Sequence, residues 1–121
     1  MPLSDLDFLK HIRDEALYLN SQISQLTFDY FEKDQTFTRA FIRSLEIIGE
    51  ASKKISSEFK DKYPGIDWRA MAGMRDKLIH DYFGVDNEIV WDVVNNEIPK
   101  LLKLCSDIIN KEEKNNLAQS D

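Results

Sequence analysis

Cysteine is almost absent from this chain of 121 residues, where Cys105 stands alone. A single thiol excludes an intrachain disulfide and a cysteine-based zinc site within one chain, and it fits a reducing compartment. Glycine and proline are scarce too, with four and three residues. The glycines are scattered, so no glycine-rich phosphate loop is expected. No serine sits in a Gly-x-Ser-x-Gly setting. Nowhere does the chain reach the ~20 consecutive apolar residues of a membrane span. The opening Met-Pro-Leu-Ser-Asp-Leu-Asp has neither a basic nor an apolar leader region, so a cytoplasmic protein without membrane contact is expected. The two histidines face no carboxylate cluster in the pattern, which argues against a transition-metal site.

Positive charge is also in short supply. Sixteen Lys and Arg stand against 22 Asp and Glu, a net charge of −6. A protein that gripped nucleic acid through its overall field would be basic. Any such binding must come from a local patch, or from one built at an assembled interface.

What is present is helix. Hydrophobic residues make up 42% and charged residues 31%, the balance of a globular domain. Ser4 is an N-cap candidate, and Asp5 and Asp7 suit the positive end of a helix dipole. Leu6, Leu9, Ile12, Ala16, Leu19, Ile23 and Leu26 then recur at helical spacing, and the pattern fades over Thr27–Lys33. A second helix is predicted from Thr36 to Lys60, with Phe37, Ala40, Phe41, Ser44, Leu45, Ile48, Ala51, Ile55 and Phe59 as its buried stripe. Arg39, Arg43, Glu46, Glu50 and Lys54 form one polar row on its other face.

Tyr63-Pro64-Gly65 reads as a turn, after which Asp67 can cap a third helix from Trp68 to His80 or Tyr82. Asp86 or Asn87 can cap a fourth. Its apolar set is Ile89, Val90, Val93, Val94, Ile98, Leu101, Leu102, Cys105, Ile108 and Ile109, and Pro99 should kink or split it. The expected fold is all-α, an antiparallel up-and-down bundle of four to five helices. Residues 1–113 make one domain, and the polar residues 114–121 are expected to fray.

Histidine is the usual carrier of proton transfer near neutral pH. His11 lies between Lys10 and Arg13 and reads as a solvated residue. His80 sits in Met74-Arg-Asp-Lys-Leu-Ile-His-Asp-Tyr-Phe83. Arg75 and His80 are about 140° apart on an ideal helix, so a distortion near Ile79–Asp81 is needed to gather them with Tyr82. Together they suit a phosphate: guanidinium for the charge, imidazole for a proton, phenol for a hydrogen bond. The bland alternative is an ion pair of Arg75 with Glu50 or Asp76, a helix-capping His80 and a core Tyr82. Trp68 and Trp91 read as core or interface anchors.

These residues carry a resemblance. The stretches are Asp5-Leu-Asp-Phe-Leu, Ala40-Phe-Ile-Arg-Ser-Leu-Glu-Ile-Ile-Gly-Glu-Ala51, Tyr63-Pro64, Ile66-Asp-Trp68, Met71 through Tyr82, Val85-Asp86 through Val90-Trp91, and Ile98-Pro99. In that order they resemble the HepT-like toxins of the HEPN superfamily, over nearly the whole chain. The resemblance implies a homodimer with a composite site at its interface. It further implies a metal-independent endoribonuclease with Arg75 and His80 as catalytic residues, no cofactor and no metal.

It also places Asp76, Tyr82 and Glu50 in support of the site, the role of Glu50 being unassigned. Tyr82 would be the residue to which a MntA-type nucleotidyltransferase antitoxin attaches AMP, in a type VII toxin–antitoxin pair. The competing expectation is a non-catalytic helical accessory, or substrate-binding subunit, of a nucleotidyltransferase. There the same residues would bind a nucleotide or the partner, and no RNA would be cut.

Overall fold

The computed structural model describes residues 2–78 and 86–119. All regular structure among them is helical. The elements are α1 (Asp5–Ile23), α2 (Phe28–Lys33), α3 (Gln35–Lys54), α4 (Ser57–Lys62), α5 (Trp68–Ala72), α6 (Met74–Leu78), α7 (Asn87–Asp92), a π turn (Val93–Glu97) and α8 (Ile98–Ala118). The all-α bundle expected from the periodicity is what forms. Three long helices carry it, and short ones fill the links between them.

Helix α1 starts at a reciprocal cap. The Ser4 hydroxyl accepts from the Asp7 N–H at 3.1 Å, and Asp7 Oδ2 accepts from the Ser4 N–H at 2.9 Å. Those hydrogen bonds from Ser4 hold the Asp7 carboxyl below its ordinary range. Leu9, Ile12, Ala16, Leu19 and Ile23 are its buried stripe. The helix ends at Ile23, short of Leu26. There the Ser21 and Ser24 hydroxyls donate to the Tyr18 and Ser21 carbonyls, competing with the helix for backbone acceptors.

α1 lies between α3 and α8 and is antiparallel to both. Its first residue meets the end of α3, where Asp5 Oδ1 accepts from the Ser56 N–H at 2.8 Å. Its second turn meets the end of α8, with Lys10 Nζ 3.0 Å from Glu113 Oε1.

The breaks differ from the sequence reading where local caps and long-range contacts override the periodic pattern. The stretch where the first pattern fades holds a six-residue helix, α2, capped by Thr27. It is too short to show a periodic stripe, and one buried ring fixes it. Phe31 packs 5.0 Å from Phe41 and 5.4 Å from Trp91, centroid to centroid.

The second expected helix divides at Ile55–Ser56 and does not run on to Lys60. The Ser56 hydroxyl accepts from the Phe59 N–H at 3.2 Å and so starts α4, while both its own donors go to Asp5. The third expected helix is interrupted at Gly73 into α5 and α6. Asp67 caps it as expected, accepting from the Ala70 N–H at 3.0 Å.

Pro99 has the disruptive effect expected of it, displaced one turn upstream. Its ring would clash with the Asn95 carbonyl of an α-helix, and it offers no N–H. The chain widens into the π turn Val93–Glu97, where the Ile98 N–H reaches back to the Val93 carbonyl. α8 then begins with Pro99 in its first turn, where a missing N–H does no harm, and runs through the polar stretch to Ala118.

Trp68 and Trp91 anchor the core. The Trp68 indole N–H donates to the Tyr63 carbonyl at 3.0 Å, and the Trp91 ring packs on Phe28 and Phe31. None of the described helices is long and apolar enough to cross a membrane.

Candidate functional site

The α6 sequence Met74-Arg-Asp-Lys-Leu78 turns Met74 and Leu78 inward, one helical turn apart. That leaves Arg75, Asp76 and Lys77 exposed on the outer surface. Arg75 and Lys77 leave α6 in opposite directions. Arg75 reaches toward α3, its Nε 3.6 Å from Glu46 Oε2. Lys77 reaches toward the π turn, its Nζ 3.6 Å from Glu97 Oε1.

Of the partners the sequence offered Arg75, neither Glu50 nor Asp76 takes it. Glu50 lies one turn beyond Glu46 and meets Arg43 of its own helix, Oε1 to Nη1 at 3.8 Å. The reason is register: α6 crosses α3 beside Glu46.

Gly49 sets how closely α5 and α6 approach α3. A Cβ placed on it would stand 3.1 Å from the Met71 carbonyl oxygen and 3.9 Å from Met74 Cβ. Any larger residue would hold the two segments apart. Gly49 is buried and sits one turn after Glu46 on α3. Where α5 and α6 pass α3, one small residue and one carboxylate therefore stand one turn apart.

The polar row read from the sequence is otherwise as expected. Arg39, Arg43 and Glu50 are exposed, and Lys54 lies over the Phe8 ring at 5.9 Å. His11, expected to be solvated, is exposed and stands edge-on to Phe8. His80 and Tyr82 lie outside the described residues. Among those described, no three His, Cys, Asp or Glu side chains are grouped to hold a metal ion.

Sequence reasoning placed Glu46 on the right face but missed its partner. The signal available, Glu46 and Glu50 four apart on one polar row, named two carboxylates without saying which one α6 would cross.

A second polar cluster lies away from α6, toward the C-terminal ends of α4 and α8. Glu112 Oε2 accepts from Lys62 Nζ at 2.8 Å and from the Tyr63 hydroxyl. The hydrogen bond from Lys62, then that from Tyr63, holds the Glu112 carboxyl below its ordinary range. Burial first, then Glu112, pushes the Tyr63 phenol up. This cluster ties α4 to α8. Beside α1, Cys105 is fully buried, and desolvation pushes its thiol up to about 12.

On the flank of α6 away from Arg75 lies a groove of about 510 Å³. Met71, Met74, Ile98 and Leu101 line it, with Lys77 and Glu97 at the rim.

Comparison with known proteins places most of the chain in one family. Residues 9–108 match the family described as ribonuclease HepT-like. A candidate RNase of Caldanaerobacter subterraneus subsp. tengcongensis is 47% identical over 106 residues, 88% of this chain and 95% of that one. A candidate RNase of Methanocaldococcus jannaschii is 44% identical over 114 residues, covering 90% and 91% of the two chains. A protein of Thermococcus cleftensis named as a candidate ribonuclease HepT is 46% identical over 101 residues, covering 84% and 92%. No solved structure matches significantly.

Proposed function

Because the chain belongs to the HepT-like ribonuclease family, we propose that it is a metal-independent endoribonuclease acting as a homodimer, with Arg75 and His80 as its catalytic residues. The observation that carries this reading is Arg75 itself. It stands on the outer edge of α6 with 69% of its side chain exposed, ready to meet a phosphate, five residues before His80 in a chain whose family match spans both.

The chemistry follows from the residue types. Neutral His80 takes the proton of an RNA 2′-hydroxyl. The 2′-oxygen attacks the adjacent phosphorus, the 5′-oxygen leaves, and a 2′,3′-cyclic phosphate remains. Arg75 neutralises charge growing on the non-bridging oxygens. A two-fold axis brings the same residue twice to one place, so His80 of a second copy supplies the proton to the leaving oxygen. Asp76, Tyr82 and Glu50 support this site. Two copies of Arg75 and Lys77, with Arg39 and Arg43, gather a basic cleft on an acidic protein.

Regulation belongs to the same proposal. As the toxin of a toxin–antitoxin pair in the cytoplasm, the chain is silenced by a MntA-type nucleotidyltransferase. The Tyr82 phenol oxygen takes AMP from a nucleoside triphosphate, and pyrophosphate leaves. The added phosphodiester charge, two residues from His80, repels RNA.

The test is RNA cleavage by purified protein in excess EDTA, beside His80→Ala, with DNA as control. Cleavage by the wild type alone, with 2′,3′-cyclic phosphate ends on RNA and intact DNA, is expected. DNA cut at a comparable rate would refute the 2′-hydroxyl mechanism. No cleavage by protein whose Tyr82 is shown by mass to be bare would favour the nucleotidyltransferase-accessory reading. The net charge of −6 is the feature that suits that reading. Tyr82→Phe should lose the AMP mass shift and keep the fold.

A further inference from the structure

We propose that Glu46 is the positioning residue of Arg75: α3, through this carboxylate, sets where the guanidinium stands, and Gly49 sets the spacing. The proposal rests on the ribonuclease reading and extends it to a residue outside the Arg-x4-His-x-Tyr string.

The geometry is asymmetric. Glu46 is the sheltered partner, its side chain 23% exposed against 69% for Arg75. Glu46 stands within the 20-residue helix α3, which packs along α1, whereas Arg75 is the second residue of α6, just past the break at Gly73. A long, packed helix is the better reference frame of the two. Gly49 then limits the spacing, since the Met71 carbonyl oxygen passes 3.1 Å from where its Cβ would be.

The contact is also made on a particular edge. Glu46 Oε2 approaches Nε. A guanidinium can grip an oxyanion bidentately on its Nε side or through its Nη pair. A carboxylate on the Nε side orients the fork while leaving that pair to substrate. As a stability device the pair would be a poor one, because an exposed ion pair contributes about 0–1 kcal/mol.

Two effects of removing Glu46 have opposite signs. On a chain of charge −6, losing a carboxylate beside the RNA site strengthens RNA binding by electrostatics alone. Losing the carboxylate that orients Arg75 weakens transition-state stabilisation, and a misplacement of about 1 Å can reduce a rate ~100-fold. Positioning predicts that the second effect governs the rate and the first shows only in binding.

The experiment is steady-state RNA cleavage by Glu46→Gln and Glu46→Asp, each also in an Arg75→Ala background. It is accompanied by the arginine Nε–Hε NMR spectrum, in which the Arg75 signal is the one lost in Arg75→Lys. The expected result is a kcat about tenfold lower for Glu46→Gln, with KM unchanged or lower. Glu46→Asp should fall between, and Glu46→Gln should add nothing in the Arg75→Ala background. The Arg75 Nε–Hε signal should shift in Glu46→Gln.

A kcat at or above the wild-type value, or an equal loss with and without Arg75, would overturn the proposal. A wild type that cuts no RNA would overturn the ribonuclease reading, and this role with it. A shifted Arg75 signal in that case would mark the pair as structural, so the two failures are told apart.

Discussion

Replacing Asp5 with Ala should open the junction between α3 and α4. Asp5 accepts two hydrogen bonds from a residue 51 positions away: from the Ser56 N–H at 2.8 Å and from its hydroxyl at 2.7 Å. Both acceptors belong to a carboxylate at the first position of α1, where negative charge also meets the helix dipole. Hydrogen bonds to a charged group contribute about 1.5–3 kcal/mol each, and exposure puts this pair below that range. The dipole adds about 0.5 kcal/mol. A total loss of about 2 kcal/mol follows, or a fall in Tm of about 8 °C for a domain this size.

Asp5→Asn, which keeps an acceptor but no charge, should lose about half of that. The assay is urea unfolding at one fixed protomer concentration, because association would otherwise move the midpoint. Ser56→Ala and the double variant complete a cycle. Ser56 also caps α4, so the single variant loses more than the Asp5 contact. The coupling between the two positions isolates that contact and should be about 1 kcal/mol. A coupling within ~0.3 kcal/mol of zero would show that the clamp does not hold the junction.

Three further outcomes are expected. Gly49→Ala should destabilise by about 1–2 kcal/mol, because overpacking against the Met71 carbonyl at 3.1 Å outweighs the gain in helix propensity; Gly73→Ala, whose Cβ would meet Arg69 O at an ordinary 3.5 Å, should be neutral or stabilising by about 0.5 kcal/mol in the same denaturation assay. The depressed Glu112 carboxyl contributes stability above the unfolded carboxylate range that is lost as pH falls through its folded value, so Glu112→Gln should flatten the acid limb of a stability–pH curve; an unchanged limb would remove this cluster from the acid transition. The Cys105 thiol, raised to about 12 by burial, costs no stability below the unfolded value of about 8.5, and stability falls as pH rises from there toward 12. A thiol reagent at pH 8 should accordingly label only unfolded protein, and rapid labelling of the native fold would contradict that burial.

The legible parts of this fold were those governed by neighbours in sequence. Ser4, Asp67 and Asp86 cap the helices they were expected to cap, because a side-chain oxygen reaching an N–H two or three residues on is a local event. The stripe from Leu9 to Ile23 is buried as its spacing requires. Pro99 was legible as a disruption because its missing N–H and its ring are fixed covalently. The form of that disruption, a π turn upstream, depends on how Val93, Val94 and Ile98 stay buried across it.

Where distant segments cross was not legible in the chain order. The apolar stripe from Phe37 to Phe59 continues through Ser56, so periodicity alone reads one helix. The carboxylate that takes Ser56 comes from the start of α1. Likewise, α2 exists because Phe31 finds Phe41 and Trp91, and a six-residue helix has no stability of its own to advertise.

At the candidate site the residue types and spacing already named Arg75, the exposed row on α3 and the Gly-Glu string. The choice of Glu46 over Glu50 as the partner of Arg75 was settled by where α6 crosses α3. Spacing along one helix says which residues share a face, and only the packing of two helices says which of them meet.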